Sequence, residues 1–151
     1  MKKIIFSIFL CCIVSQAFAK KNNVEYLAQL QNDFTECSET FHIKSEQCSD
    51  TGSMKCYKFL TELHKSTQNC YTEVAKRIFL KFYNLNEQQA NQKIEDFASS
   101  IYKNYLFIYQ ENNYCRANNC GISAFLYSEY ATTFALKDYI DMMFTALEIY
   151  L

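Results

Sequence analysis

Eight cysteines and two histidines are the side chains in this 151-residue sequence with the widest choice of chemistry. The segment Cys115-Arg-Ala-Asn-Asn-Cys120, followed by Gly121, sets two thiols apart by four residues. A redox couple would want two intervening residues and a thiol activated at a helix start, and a zinc site would want a second pair of ligands. A disulfide that shapes a polar loop fits the spacing better. His42 and His64 lie about level across the first pair of helices, with Glu39 and Glu46 nearby. They fall about 130° and about 100° off the cysteine seams of their helices, so both are expected to face solvent. No H-E-x-x-H, G-x-S-x-G or phosphate-binding loop occurs, and Glu95, Asp96, Asp138 and Asp141 fit exposed helix faces without forming an acid and base pair. The expectation is a protein that is not an enzyme, with no catalytic residues, no cofactor and no metal site.

The remaining cysteines acquire meaning from the compartment. Lys2 and Lys3, an apolar run from Ile4 to Val14 and then Ala17-Phe18-Ala19 make the pattern of a cleaved signal peptide over residues 1–19. The run has 11 residues, against roughly 20 for a spanning helix, so no stable membrane span is expected in the mature chain. Cys11 and Cys12 leave with the signal. The mature domain, residues 20–151, has room for one core and carries six cysteines, the even count of a secreted, extracellular or periplasmic disulfide protein.

That domain has no proline and only Gly52 and Gly121, so the strongest breaks fall at two places. Elsewhere the apolar period is helical. One seam runs Leu27, Leu30, Phe34, Cys37, Phe41, Cys48; a second, after the turn Ser49 to Ser53, runs Cys56, Leu60, Leu63, Thr67, Cys70, Val74, Ile78. Asn86 is a natural N-cap for a third helix with Ala90, Ile94, Phe97, Ile101, Tyr105 and Ile108 on its seam. A fourth helix from Ile122 to Leu151 carries Leu136, Ile140, Met143, Leu147 and Leu151. The fold class is therefore all-α, a disulfide-stapled up-down-up-down four-helix bundle of two helical hairpins.

Helix geometry selects the pairing. If the first hairpin turns near Gly52, Cys48 and Cys56 flank the turn while Cys37 and Cys70 stand three to four turns away, level with each other. The crossed pairing would displace partners by roughly 15–20 Å, where a bridge needs Cα atoms within about 7 Å. Cys37 is thus expected to pair with Cys70, Cys48 with Cys56, and Cys115 with Cys120. On the chain-entropy account the last ring stabilises by about 2 kcal/mol and the Cys37 to Cys70 ring by nearer 4 kcal/mol.

What exceeds structural need is aromatic. Around Ile101 to Tyr109 and Phe125 to Tyr130 the apolar residues cover most of the helix circumference, more than one buried stripe can use. Tyr102, Leu106, Phe107, Tyr109, Tyr127 and Tyr130 are the candidate binding surface, read against the plainer alternative of tyrosines whose rings pack and whose hydroxyls stay wet. The formal charge of -1 becomes -3 without Lys2 and Lys3, and no basic block remains, which excludes nucleic acid as a partner. The expected function is an exported interaction protein, of the inhibitor, immunity or receptor-ligand kind, with a protein partner. A carrier of a small hydrophobic molecule between the third and fourth helices is the first alternative and a membrane-active protein the second.

Overall fold

The computed structural model describes the backbone of residues 2–48, 53–111 and 120–150, and the side chains of residues 20–48, 53–108 and 125–150. Four helices follow in order: α1 (Lys2–Ser45), α2 (Met54–Phe82), α3 (Glu87–Glu111) and α4 (Cys120–Tyr150). No strand occurs among the described residues. The architecture is an up-down-up-down bundle. Contacts between α2 and α4 advance together, His64 beside Tyr130 and Phe79 beside Tyr139, as parallel helices require. Those between α1 and α4 run in opposite senses, Phe34 beside Phe144 and Phe41 beside Phe134.

The helix ends follow from local chemistry. Ser53 caps α2 by accepting from the Cys56 backbone N–H at 3.2 Å. Asn84 adopts a left-handed φ of 54°, which Asn tolerates better than most residues and which turns the chain out of α2. Asn86 then caps α3 reciprocally: its side chain accepts from Gln89 N–H at 2.9 Å, and the Gln89 side chain accepts from Asn86 N–H at 3.0 Å.

The buried residues reveal how the helices cross. On α2 they include the row Leu63, Thr67, Tyr71, Ala75, Phe79, and on α4 the row Ser128, Thr132, Leu136, Ile140, Phe144, each advancing by four. Such rows are inclined to the helix axis, so helices that mesh through them cross obliquely. α2 makes backbone approaches to α1, α3 and α4, with α4 the most extensive, whereas α1 and α4 approach little. α2 is thus the helix that packs on all three others, and α3 packs mainly on α4. α1 differs: Leu27, Leu30, Phe34 and Cys37 alternate threes and fours, a seam nearly parallel to its axis.

Two sequence expectations are corrected. Tyr105 and Ile108 are exposed rather than on the buried seam of α3. The face that α3 turns inward follows Ala90, Ile94, Ala98, Tyr102 and Leu106, again in steps of four, and winds about 40° per step away from the straight seam. Cys48 is not on α1, because the helix ends at Ser45 and two tight turns, Gln47 N–H to Lys44 O and Cys48 N–H to Ser45 O, carry the chain out.

Two disulfides cross-link the first hairpin. Cys37 joins Cys70 with Cα atoms 6.0 Å apart, and Cys48 joins Cys56 with Cα atoms 5.7 Å apart. Such bonds belong to an oxidising, non-cytosolic compartment. Cys115 and its expected partnership with Cys120 lie outside the described residues and side chains. The sequence separations of 33 and 8 rank the two described bridges. Replacing Cys37 and Cys70 by Ala is expected to cost about 4 kcal/mol, and replacing Cys48 and Cys56 about 2.5 kcal/mol. Urea unfolding of the two double variants reads the order directly.

Candidate functional site

The main hydrophobic cluster draws on Leu27 to Cys37, Tyr71 to Phe79, Ala90, Ile94 and Leu136 to Phe144. Towards the end where α2 and α4 begin the interior changes character. There α2 and α4 bury His64, Thr67, Ser128, Glu129, Thr132 and Thr133. Outside the same stretch stand Tyr127, Tyr130 and Phe134, spaced by three and four on one face of α4. Buried polar groups here stand beside the buried Leu63, and aromatic rings stand outside them.

The polar interior is satisfied bond by bond. Thr132 and Thr133 return their hydroxyl protons to the carbonyls of Ser128 and Glu129, each at 2.8 Å, and Thr67 does the same to Leu63 at 2.9 Å. Because Thr133 has spent its one proton, it can only accept from His64 Nδ1 at 3.0 Å and from Gln68 Nε2 at 3.2 Å. His64 is therefore the Nδ1–H tautomer. Gln68 Nε2 also reaches the Glu129 carbonyl at 3.0 Å and its carboxylate at 2.8 Å, while Lys65 approaches that carboxylate at 3.8 Å from the surface.

His64 overturns its sequence reading, since it is 3% exposed rather than solvated. Its offset of about 100° from the cysteine stripe is the face α2 turns to α4, because α2 has partners on several sides. Phe41 packs on the imidazole with centroids 4.9 Å apart and Tyr130 meets it edge-on at 5.6 Å. Burial pushes its pKa down from 6.5 to about 4, so the ring is neutral near pH 7. His42 is exposed and faces Glu46 at 3.5 Å. Among the described residues no three His, Cys, Asp or Glu side chains gather as metal ligands.

The candidate surface residues whose side chains are described do not form one face. Tyr127 and Tyr130 share the α4 stripe with Phe134, a residue the sequence reading passed over because its neighbours Thr132, Thr133 and Ala135 break the aromatic run. Tyr102 and Leu106 are half-buried on the inward row of α3, where burial and then the Glu129 charge raise the Tyr102 phenol. Phe107, 62% exposed, lies about 140° around α3 from Tyr102 and points away from the bundle. The Tyr109 side chain lies outside those described. On the other flank of the stripe, Phe41 of α1 meets Phe134 edge-on at 6.3 Å, and Tyr130 packs on Phe134 at 4.5 Å. Phe41, Tyr130 and Phe134 thus make a continuous aromatic surface above His64.

Two clefts flank this region. One of about 420 Å³ lies along α1 and α2, lined by charged groups such as Asp33, Glu36, Glu73 and the Arg77 that pairs with Asp33. The other, about 200 Å³, opens between α1 and α4 beneath Phe41 and Phe134. Neither lies between α3 and α4. No helix among the described residues is long and apolar enough to cross a membrane. No protein-family model, curated protein or solved structure matches this chain.

The buried imidazole gives the fold a pH signature. The unfolded chain takes up a proton at His64 near pH 6.5 and the folded chain only near pH 4, so within that window stability falls as pH falls. Between pH 7 and pH 4 the wild type is expected to lose about 3 kcal/mol through this group. Denaturant unfolding of wild type and His64→Gln across that range checks it: the stability difference between them should shift by that amount, and a constant difference would refute the assignment.

Proposed function

We propose that this is an exported interaction protein that binds a protein partner through the aromatic stripe of α4, Tyr127, Tyr130 and Phe134, extended by Phe41 of α1. The carrying observation is an exposed ring over a buried one: Tyr130, 50% exposed, meets edge-on a His64 that is 3% exposed. Interfaces use aromatic residues in this way, as anchors that bury large area at small entropic cost. The stripe sits on a helix whose register is fixed by Leu136 and Ile140 beneath it, so little ordering remains to be done on binding. Export follows from Lys2, Lys3, the apolar run and Ala17-Phe18-Ala19, with the mature chain starting at Lys20, and two disulfides suit the destination.

The test is the mass of the protein recovered from its own host, measured under native and then denaturing conditions. A polypeptide mass lost on denaturation supports the reading; a small non-protein mass would make the protein a carrier instead. With the partner in hand, Tyr130→Ala is expected to weaken binding by about thirtyfold while thermal unfolding moves little. Phe107→Ala, on the outer face of α3, should leave affinity within about twofold; equal losses at both positions would refute the α4 stripe as the anchor.

A further inference from the structure

The cleft between α1 and α4 has polar groups at its floor that nothing in the aromatic-stripe reading uses. Phe41 and Phe134 line it with ring planes 87° apart, together with Ser38, His42, Tyr71, Thr133 and Lys137, of which Tyr71 is buried. The volume of about 200 Å³ suits one aromatic ring with a small substituent, given that an apolar cavity of about 150 Å³ holds benzene. A ring entering beneath these two touching, perpendicular phenyl groups can stack on one and meet the other edge-on, both favoured geometries.

The proton inventory of the floor defines the substituent. Either hydroxyl can donate in the 2.9 Å contact between Ser38 and Tyr71; with the Ser38 proton on Phe34 O at 3.2 Å it is Tyr71 that donates. The Tyr71 oxygen keeps a lone pair for an incoming donor. Lys137 Nζ donates to Asp141 at 2.7 Å and is held 5.6 Å over the Phe34 ring, with two further N–H groups. Thr133 also lines the cleft, but its proton is committed to Glu129 O and it accepts from His64 and Gln68. The cleft therefore offers the remaining N–H donors of Lys137 and an acceptor at Tyr71, close enough to interact electrostatically. Lys137 and Asp141 cancel in charge, which disfavours a carboxylate or an amine as the head group. A neutral hydroxyl answers both needs, accepting from Lys137 and donating to Tyr71.

We infer that the α1–α4 cleft is a binding site for a single phenolic ring, which lies beneath the Phe41 and Phe134 rings and whose hydroxyl accepts from Lys137 Nζ and donates to the Tyr71 oxygen. The inference stands on the cleft alone and does not require a protein on the α4 stripe. Such a ring can come from a free phenol or from a tyrosine side chain of a peptide.

The experiment titrates the full mature protein with p-cresol and toluene, and with N-acetyltyrosinamide and N-acetylphenylalaninamide, following chemical shifts and intermolecular NOEs by NMR. The expected result is saturable p-cresol binding with NOEs to the Phe41 and Phe134 rings, about tenfold tighter than toluene. Lys137→Met, which keeps the aliphatic stem over Phe34, should erase that preference while toluene binding persists. N-acetyltyrosinamide binding within a few-fold of p-cresol identifies a peptide side chain as the source; binding about tenfold weaker identifies a free phenol. The proposal is overturned if toluene binds as well as p-cresol, if the NOEs arise elsewhere, or if no saturation is reached at the solubility limit.

Discussion

The oblique meshing of α2 with α4 is the constraint on which the other features rest. Both helices bury rows that advance by four, and both rows contain small residues: Thr67 and Ala75 on α2, Ser128 and Thr132 on α4. Small side chains let two backbones approach, and inclined rows make the axes cross. With α2 packed on α4, α1 lies against α2, and α3 lies against α4 and, less extensively, α2. α1 is held to α2 by the Cys37–Cys70 bridge, and its distance from α4 is spanned by rings instead of backbone contacts, Phe34 against Phe144 and Phe41 against Phe134. The cleft exists because those rings meet at the edges and leave the space beneath them.

The same crossing explains why polar residues came to lie inside. A row wound around α4 that begins at Leu136 and Ile140 in the apolar core arrives, one and two turns earlier, at Thr132 and Ser128. Hydroxyls there cost little, because a helical Thr can return its proton to the carbonyl four residues back. Each such bond leaves the oxygen with acceptor capacity only, and this converts Thr133 into a fixed acceptor that selects the tautomer of His64 and orients Gln68. One hydroxyl thereby ties α2 to α4 through two side chains. A buried network of this kind narrows the ways two helices can slide, a role an apolar layer of equal volume performs less strictly.

How far the sequence announced this can be judged residue by residue. The helices, the N-cap at Asn86 and the deep residues Leu30, Ile78, Ala90, Ile94, Leu136 and Ile140 were legible, because 3.6-residue periodicity and cap chemistry are local signals. The level placement of Cys37 beside Cys70 was also legible, being set by hairpin symmetry. The inward turn of Tyr102 and the outward turn of Tyr105 were not. A period fixes which residues share a stripe on one helix, but the angle at which two helices cross decides whether the buried stripe runs straight or winds, and that depends on the partner. His64 was misjudged for a related reason: one seam was allotted to each helix, while α2 packs on several sides. Gln68, Glu129 and Thr133 carried no signal, since polar residues with no apolar neighbourhood in sequence acquire one only in space.

The aromatic stripe and the cleft share a boundary, and that sharing has an energetic consequence. Phe134 contributes one side of its ring to the stripe with Tyr130 and lies against the cleft opposite Phe41. Its position is set by Thr133 and Leu136 beneath it, both buried and hydrogen-bonded or packed, so the backbone carrying it cannot yield. A ligand that fills the cleft would therefore act on the stripe chiefly through the Phe41 and Phe134 rings, by limiting their rotamers. Restricting an anchor before its partner arrives removes part of the entropy cost of association, so occupancy of the cleft and engagement of the stripe would favour each other without any movement of the helices.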